Sequence, residues 1–429
     1  MLRFHGRTAA VCLLAGTVCF SPAHADRTDA ASAGRRLTLA EARERALAHS
    51  PDLLSARAAA AAAAGAARQA GAWANPEFEI EAEEFGGDRP GWDEAELTWS
   101  LTQRLELFGT RGTRARAARH LQDAAASSAD AARLDLLAEV DRRFADALLA
   151  RSRVEAFEET DSVAAEAVRA VTALVEAGEE SPIEIDRTEA ERSLASSRLR
   201  TARFEHASAL RSLARLWGAL EPDFDGVEGS LETVAGGLGT LDSLAMRGNG
   251  LPDLRRAESE VRRAEAEVRF SQRSRLPDLA VRGGWKQLRA NGEHSYVGSL
   301  AWTLPLLDRR GGAIEEAKAR LEQARAEREA TESRIALARA TAQEELAAAQ
   351  EASRALREGS LRRAEAVHAA VQEGYQRGKF RLLDLIDARR FLLQTRLEYL
   401  DAMRSVWVAR AELERWTGEG MAGTRGESR

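Results

Sequence analysis

The stretch Asn75–Phe85, NPEFEIEAEEF, alternates apolar and acidic residues with a period of two. In a strand, Phe78, Ile80 and Ala82 would lie on one face and four glutamates on the other. Most of the chain around this stretch is rich in Ala, Leu, Arg and Glu, as long helices are. We therefore expect a mainly α-helical protein that carries a few strands, each with one apolar and one polar face.

The first 25 residues have the pattern of a secretory signal peptide. A basic start precedes the apolar run Thr8–Phe20 and an Ala-x-Ala cleavage pattern at Ala23–Ala25. The alternatives are a short N-terminal helix or anchor, and lipidation at Cys19. Both cysteines of the sequence lie in this segment, so the chain that follows has no thiol for a disulfide, a metal site or a nucleophile.

The remaining sequence excludes several classes of function. The 62 basic and 68 acidic residues of the full sequence are spread along the chain, and no basic block interleaved with aromatics indicates nucleic-acid binding. No phosphate loop, nucleophile elbow or H-x-x-x-H pair is present, so we expect no enzyme activity, no cofactor and no dedicated metal site. His206 lies on a stripe of apolar residues, and we expect it to be packed or to face a tunnel.

The sequence contains one unit written twice. Two prolines and two glycines of the first half recur in the second half at nearly the same distance along the chain. The alternative explanation is coincidence in a composition rich in Ala, Arg and Glu. The offset is 201 for the first two pairs and 200 for the others: Pro51/Pro252, Pro76/Pro277, Gly178/Gly378 and Gly218/Gly418.

Each copy is predicted to contain a helix, a β-hairpin and a long helical hairpin. The first repeat spans 26–223, with a helix from Leu39 to Ala72, a β-hairpin at 75–108 and a helical hairpin at 112–217. The second spans 251–418, with a β-hairpin at 277–305 and a helical hairpin at 312–416. Residues 224–250 are expected to connect the repeats, and 419–429 to form a disordered tail.

Strands with this alternation can cross a bilayer when they close into a barrel, because a barrel satisfies every backbone hydrogen bond. Our candidates for the membrane-facing side are Phe78, Ile80, Trp99, Leu101, Trp285, Leu300 and Trp302. The smallest membrane barrels have about eight strands, so four strands per chain require other copies. Two copies or three would suffice, and the residues do not decide. The alternative is two ordinary hairpins packed on helices.

The long helices are each expected to end at a glycine, Gly178 or Gly378, in the left-handed conformation. After the first, we predict a helix start with Ser181 as N-cap, Pro182 as the first helical residue and Glu184 completing a capping box. The two helical hairpins would then each have a tight tip.

Three stretches carry a resemblance that covers nearly the whole chain after residue 25. They are LTLAEARERALAHSPDL (37–53), GEESPIEIDRTEAERSL (178–194) and RGKFRLLDLIDARRFLLQTRLEYL (377–400). With the paired strands and the duplication, they resemble the TolC-like outer-membrane efflux proteins. The resemblance implies a homotrimer with a twelve-stranded barrel in outer-membrane lipid and an α-helical tunnel through the periplasm. It also implies two partners, a periplasmic adaptor protein and a proton-driven inner-membrane pump.

The segment LELFGTRGTRARAA (105–118) resembles the branch that exports heavy metals such as cobalt, zinc, cadmium and copper. A shared structural turn, which needs Gly109 and Gly112 in any member, is the alternative explanation. Within the family, the other possibility is a drug-efflux or type I protein-secretion duct. From another class, it is a periplasmic helical-hairpin scaffold or adaptor.

The resemblance assigns adaptor docking and the periplasmic gate to the two hairpin tips. The matching residues are Gly178, Ser181, Pro182 and Glu184 at one tip, and Gly378, Arg381, Leu382, Asp384 and Asp387 at the other. Asp384 and Asp387 would form a ring that attracts cations, or would instead favour the start of a helix through its dipole. The first tip departs from the family pattern, since it has Pro-Ile-Glu in place of a small apolar pair.

The glutamates at 77–83 would line the barrel and favour cations. Arg282 and Lys286, predicted on a neighbouring strand, would oppose this preference.

Overall fold

The computed structural model describes residues 34–86, 91–232 and 250–418. The predicted signal peptide, the predicted tail at 419–429 and most of the predicted connecting segment lie outside these ranges. The described chain is mainly α-helical and contains two sheets, of two and of four strands.

The first repeat contains α1 (Leu39–His49), α2 (Pro51–Ala70), the 67-residue α3 (Thr110–Glu176) and α4 (Ile183–Ala214). The prediction of one continuous helix from Leu39 to Ala72 was wrong. Ser50 has an extended ψ of 121°, as expected before a proline, and its hydroxyl accepts a hydrogen bond from the Leu53 N–H. This residue therefore ends α1 and caps α2.

The second repeat contains α5 (Pro252–Arg273), α6 (Gly311–Ala355), α7 (Arg362–Gln376) and α8 (Leu382–Thr417). The long helix predicted for this hairpin is present from Gly311 to Gln376, but it contains a turn of π-helix, Leu356–Leu361, which joins α6 to α7. Leu356 and Leu361, at the two ends of this turn, both pack on the main apolar core. In α3, by contrast, the helix is unbroken.

No helix among residues 34–86, 91–232 and 250–418 is both long and apolar enough to span a membrane.

The larger sheet is built from one hairpin of each repeat. Its strands are β2 (Glu77–Glu83), β3 (Glu96–Leu105), β5 (Leu279–Leu288) and β6 (Glu293–Trp302), in the order β2-β3-β5-β6 and antiparallel throughout. The smaller sheet is a short parallel pair, β1 (Arg36–Leu37) with β4 (Gly226–Val227). Within the described residues, β2 and β6 are the edges of the larger sheet.

The main core lies where the short parallel pair meets the helices. Leu37 of β1 and Val227 of β4 are buried there against Phe144 of α3. Helix α8 contributes Tyr399 and Trp407, and the Trp407 ring meets Phe144 edge-on at 6.1 Å between centroids. This core joins the two repeats, and both helical hairpins extend from it.

Candidate functional site: the sheet and the hairpin tips

All seven candidate membrane-facing residues lie on one face of the larger sheet. The register pairs Phe78 with Leu101 and Ile80 with Trp99 across β2 and β3, and it pairs Trp99 with Trp285 across β3 and β5. The two tryptophan rings stack at 5.1 Å. Leu300 and Trp302 of β6 lie on the same face. Most of these side chains are about half exposed or more, so the chain leaves a broad apolar surface uncovered.

The opposite face of the sheet is polar and crossed by ion pairs. Arg282 of β5 reaches over β3, where it donates to Ser100 Oγ at 2.9 Å, and its Nη2 lies 3.1 Å from Glu81 and 3.4 Å from Glu79 on β2. Lys286 makes the parallel connection, pairing with Glu96 and with Glu83 at 3.4 Å. Thr98 and Ser100 are buried beneath these two cations. The alternating glutamates are therefore partly neutralised by the neighbouring repeat.

Glycine at position 284 is required by this arrangement. A Cβ there would overlap the Trp99 carbonyl and press on the Ser100 backbone. The absence of a side chain lets β5 lie tightly against β3 between the two cations.

The two hairpin tips repeat the same backbone turn. The Gly178 N–H donates to Val175 O at 3.0 Å and the next N–H donates to Leu174 O. At the second tip, Gly378 donates to Tyr375 O at 2.9 Å and the next N–H to Gly374 O. Both glycines have a positive φ, 76° and 71°, which glycine adopts without strain.

The helix that follows the first tip begins without the predicted cap. Pro182 lies in the helical region at the N-cap position of α4, and no side chain caps the helix. The Ser181 carbonyl, not its hydroxyl, accepts the N–H of Glu184, at 3.0 Å. The predicted Ser181–Glu184 capping box was therefore wrong, because the chain already turns helically at Pro182.

The second tip is fixed by contacts that the sequence pattern did not reveal. The Phe380 ring packs where a Cβ of Gly374 would be, so this aromatic closes the turn onto α7. The backbone N–H of Arg381 donates to Asp384 at 2.8 Å, which caps α8, and Leu382 is half-buried. The sequence signal for this contact was Gly374, four residues before Gly378, together with the aromatic Phe380 that follows Gly378.

The carboxylates of the second tip each lie near a guanidinium on their own helix. Asp384 is 3.8 Å from Arg381, and Asp387 is 3.7 Å from Arg390. Asp384 also serves the helix start, as in the second of the two interpretations offered by the sequence. The tip is therefore not a set of isolated negative charges.

A ladder of ion pairs ties the second hairpin to α3, and sequence reasoning missed it. The ion pairs, in order from the sheet side of the core toward the tips, are Arg415–Asp135, Arg142–Glu412, Arg404–Asp146, Arg153–Asp401 and Arg389–Glu159. The distances of the last four lie between 2.7 and 3.1 Å. The charged residues at 135, 142, 146 and 153 are spaced by seven, four and seven residues. This spacing places them on one face of a helix, so the sequence did indicate a charged face on α3.

A cavity of about 710 Å³ lies between the two hairpins beside this ladder. Its wall mixes charged residues such as Arg151 and Glu159 with apolar ones such as Leu194 and Leu393. The ion pair between Arg389 and Glu159 forms part of this wall.

His206 is half-buried on α4, and its Nε2 atom makes no hydrogen bond to the described residues. Burial lowers its pKa, and the nearby Arg151 lowers it further. In the described ranges, no three His, Cys, Asp or Glu side chains converge as metal ligands.

These features define a class of protein. A sheet with an exposed apolar face, continued by paired helical hairpins of which one helix alone is about 100 Å long, belongs to proteins that embed the sheet in lipid and extend the helices away from it. Residues 42–219 and 249–419 match the outer membrane efflux protein family, and the chain belongs to that family. It is an outer-membrane efflux channel with its helical part in the periplasm.

Two curated relatives extend the likeness. The chain is 28% identical over 317 residues to the cobalt-zinc-cadmium resistance protein CzcC of Cupriavidus metallidurans, covering 73% of this chain and 75% of the relative. It is 29% identical over 311 residues to the nickel-cobalt-cadmium resistance protein NccC of Alcaligenes xylosoxydans xylosoxydans, covering 71% and 69%.

Solved structures show the same fold. The MtrE outer membrane channel of Neisseria gonorrhoeae, in its open state, superposes with a TM-score of 0.75 at 18% identity over 89% of this chain and 88% of that one. The CmeC outer membrane channel of Campylobacter jejuni gives a TM-score of 0.74 at 16% identity over 89% and 86%. The predicted TolC-like fold is confirmed at this level.

Proposed function

We propose that three copies of the chain form a closed twelve-stranded barrel and a helical tunnel, which together are the exit duct of a tripartite exporter of heavy-metal cations. The observation that carries this proposal is the larger sheet, which exposes its apolar face and has two edges within the described residues. The exposed apolar face is unfavourable in water, and the unpaired edges are intolerable for an isolated chain in a membrane.

Barrel closure follows from the strand order. Because all neighbouring strands in β2-β3-β5-β6 are antiparallel, β6 of one copy can pair antiparallel with β2 of the next. Three copies then supply twelve strands in an unbroken antiparallel ring. The apolar face, with Phe78, Leu101 and Leu300, meets lipid, and the face with Arg282 and the glutamates lines the lumen.

The metal cargo is supported by the two curated relatives, whose names give cobalt, zinc, cadmium and nickel resistance. A lumen rich in carboxylates is compatible with cations. The partners in this proposal are a periplasmic adaptor and a proton-driven inner-membrane pump.

The two hairpin tips are the proposed docking and gating region. Gly178, Ser181, Pro182 and Glu184 would form the first contact surface. Gly378, Arg381, Leu382, Asp384 and Asp387 would form the second. In this proposal the tip backbones, set by Gly178 and Gly378, fix the shape that the adaptor meets.

The first test is removal of the gene from an organism that carries it, followed by complementation. We expect lower tolerance to at least one of Co²⁺, Zn²⁺, Cd²⁺ and Ni²⁺, with tolerance to a panel of organic drugs unchanged. Restored tolerance on complementation completes the test. The reverse pattern, drugs affected and metals not, would establish a drug duct in place of the metal duct.

Assembly is tested separately by membrane fractionation and electrophoresis. We expect a trimer in the outer-membrane fraction that resists detergent until heated. Recovery in the soluble periplasmic fraction would instead support a helical-hairpin scaffold. A membrane-bound monomer would contradict barrel closure by three copies.

A further inference from the structure

We infer that the cation preference of the duct is set by the polar face of the barrel and not by the second hairpin tip. This inference rests on the proposed trimeric duct. It names the charged residues that select the cargo, and it places them at the end of the molecule opposite the predicted gate.

The polar face of the four strands has an excess of negative charge. The register brings six carboxylates and three cations to this face: Glu77, Glu79, Glu81, Glu83, Glu96 and Glu293, with Arg104, Arg282 and Lys286. The four central carboxylates are paired with Arg282 or Lys286. Three formal negative charges per chain remain.

Two of these three charges come from the centre of the face, where four carboxylates meet two cations, and the third comes from the strand ends, where Glu77 and Glu293 outnumber Arg104. Glu77 is at the end that joins the helices, and Glu293 is at the start of β6 beside the Asn291-Gly292 turn. Both are exposed, and neither has an ion pair among the described residues. A cation passing along the lumen would thus meet a ring of Glu77 and a ring of Glu293, three of each in the trimer.

The second tip has no such excess of negative charge. Residues 377–390 contain five basic side chains and only two acidic ones, Asp384 and Asp387. Each of these carboxylates already lies within 4 Å of an arginine of its own helix. Three of the five basic side chains are paired with carboxylates outside this stretch, Arg377 with Glu373, Arg389 with Glu159 and Arg390 with Glu191. The ring of aspartates expected from the sequence would therefore sit in a region without excess negative charge.

The first tip does not reverse this result. Residues 176–187 contain five carboxylates and one arginine, so the excess negative charge at this end of the molecule belongs to the first tip and not to the second. The three barrel charges are also confined to a lumen with low-dielectric walls, which strengthens their effect on a passing ion.

The experiment measures the K⁺/Cl⁻ permeability ratio from reversal potentials of the purified trimer in planar bilayers under a KCl gradient. Glu77→Gln/Glu293→Gln removes two carboxylates per chain from the barrel. Asp384→Asn/Asp387→Asn removes the same number from the tip. Arg104→Gln removes one exposed cation from the barrel and shifts the charge in the other direction.

We expect the wild-type trimer to prefer K⁺. The barrel pair should lower the ratio by about twofold or more, Arg104→Gln should raise it, and the tip pair should change it less than the barrel pair does. The differences should shrink in 1 M salt, where the screening length falls to about 3 Å from about 10 Å at 0.1 M.

Three results would overturn the inference. They are a preference for Cl⁻ in the wild type, an unchanged ratio in the barrel pair, and a larger fall in the tip pair than in the barrel pair. A wild-type trimer that never conducts would overturn the proposed duct itself, and the two failures are therefore distinguishable. Heat-resistant migration of every variant shows that the compared channels are assembled.

Discussion

The sheet and the helical core use the same apolar residue types in opposite ways. Phe144, in the core beneath β1 and β4, is 1% exposed, whereas Phe78 of β2 is 64% exposed and Leu300 of β6 is 63% exposed. The core is covered on the outside by ion pairs such as those of the α3–α8 ladder. The sheet has its ion pairs on one face and almost none of its charges on the other.

This difference shows that the two regions face different solvents. In water, apolar side chains are removed into a core, and the free energy of folding comes from that burial. Around the sheet, the apolar face is left outside and the polar groups are gathered inside, which is the arrangement favoured when lipid surrounds the outside. Substitutions that reverse one face at a time test this interpretation.

The largest effect is expected from a charge on the lipid side. Leu300→Arg should prevent stable assembly, because an arginine on the lipid face costs up to about 2–4 kcal/mol, depending on its depth, and the trimer contains three copies. The measurement is the amount of heat-resistant trimer in the outer-membrane fraction. Ser299→Arg, one residue away on the polar face, is the matched control and should assemble nearly as well as wild type.

Equal loss of trimer in the two variants would break the comparison, since it would mean that the two faces of β6 meet the same environment. Wild-type amounts of heat-resistant trimer in both variants would contradict the comparison for the same reason.

The next largest effect is expected in the helical region, at the ion pair between α1 and α3. Arg43 donates two hydrogen bonds to Asp141, at 2.8 and 2.5 Å, and Asp141 is only 5% exposed on its side chain. Burial raises the pKa of Asp141, and Arg43 opposes that rise. Arg43→Ala leaves a buried carboxylate without its partner and should cost about 3 kcal/mol at neutral pH.

The sign of the pH dependence follows from the raised pKa. A carboxyl group whose pKa is raised by folding favours the folded state most at low pH, below its unfolded value, and this contribution is lost as the pH rises through the folded value. The destabilisation by Arg43→Ala, measured by thermal unfolding monitored by circular dichroism, should therefore grow between pH 4 and pH 7. Adding Asp141→Asn should recover part of the loss. No recovery would show that the buried charge is not the cause.

A smaller and local effect is expected at the second tip. Gly374→Ala places a Cβ in the space of the Phe380 ring and should expel that ring from the turn. An overpacking cost of about 1–3 kcal/mol raises the population of the open tip by roughly 5- to 150-fold, and cleavage there should rise accordingly. The tip contains Arg377, Lys379 and Arg381, so limited trypsin digestion followed by mass spectrometry measures the opening directly.

The matched control is Gly359→Ala, in the π-helical turn, where a Cβ meets nothing within 4 Å. Cleavage at the tip should be unchanged in that variant. If both alanines accelerate cleavage equally, the Phe380 contact is not what holds the turn.

Local patterns predicted the parts of the molecule that depend on local chemistry. The period-two alternation around Phe78 gave the faces of the strands, because a strand places alternate side chains on opposite sides. Gly178 and Gly378 gave the two tip turns, because few other residues accept a positive φ. The break at Ser50 could have been predicted from Pro51, since the residue before a proline avoids the helical region.

The remaining features depend on neighbours distant in sequence. The pairing of β1 with β4 rests on two residues in each strand, too few to produce a pattern. The π-helical turn at Leu356–Leu361 is fitted to the core by its two end leucines, and nothing in its own sequence distinguishes it from an α-helix. Arg282 neutralises glutamates of β2 because β3 and β5 pair in the observed register. A register between strands of two repeats cannot be read from the sequence of either repeat.

The smallest effect is expected at His206, which is half-buried and whose Nε2 atom makes no hydrogen bond to the described residues. Burial first, and Arg151 second, lower the pKa of His206, with Glu155 opposing them. A histidine whose pKa is lowered by folding stabilises the folded state above its unfolded value, near 6.5, and that contribution is lost as the pH falls through the folded value. Thermal unfolding temperatures at pH 7.5 and pH 5 should therefore differ less in His206→Gln than in wild type.

His49→Gln, at an exposed position on α1, is the control and should retain the wild-type difference. If His206→Gln also retains it, the acid sensitivity of the helical region arises from carboxyl groups such as Asp141 and not from this histidine.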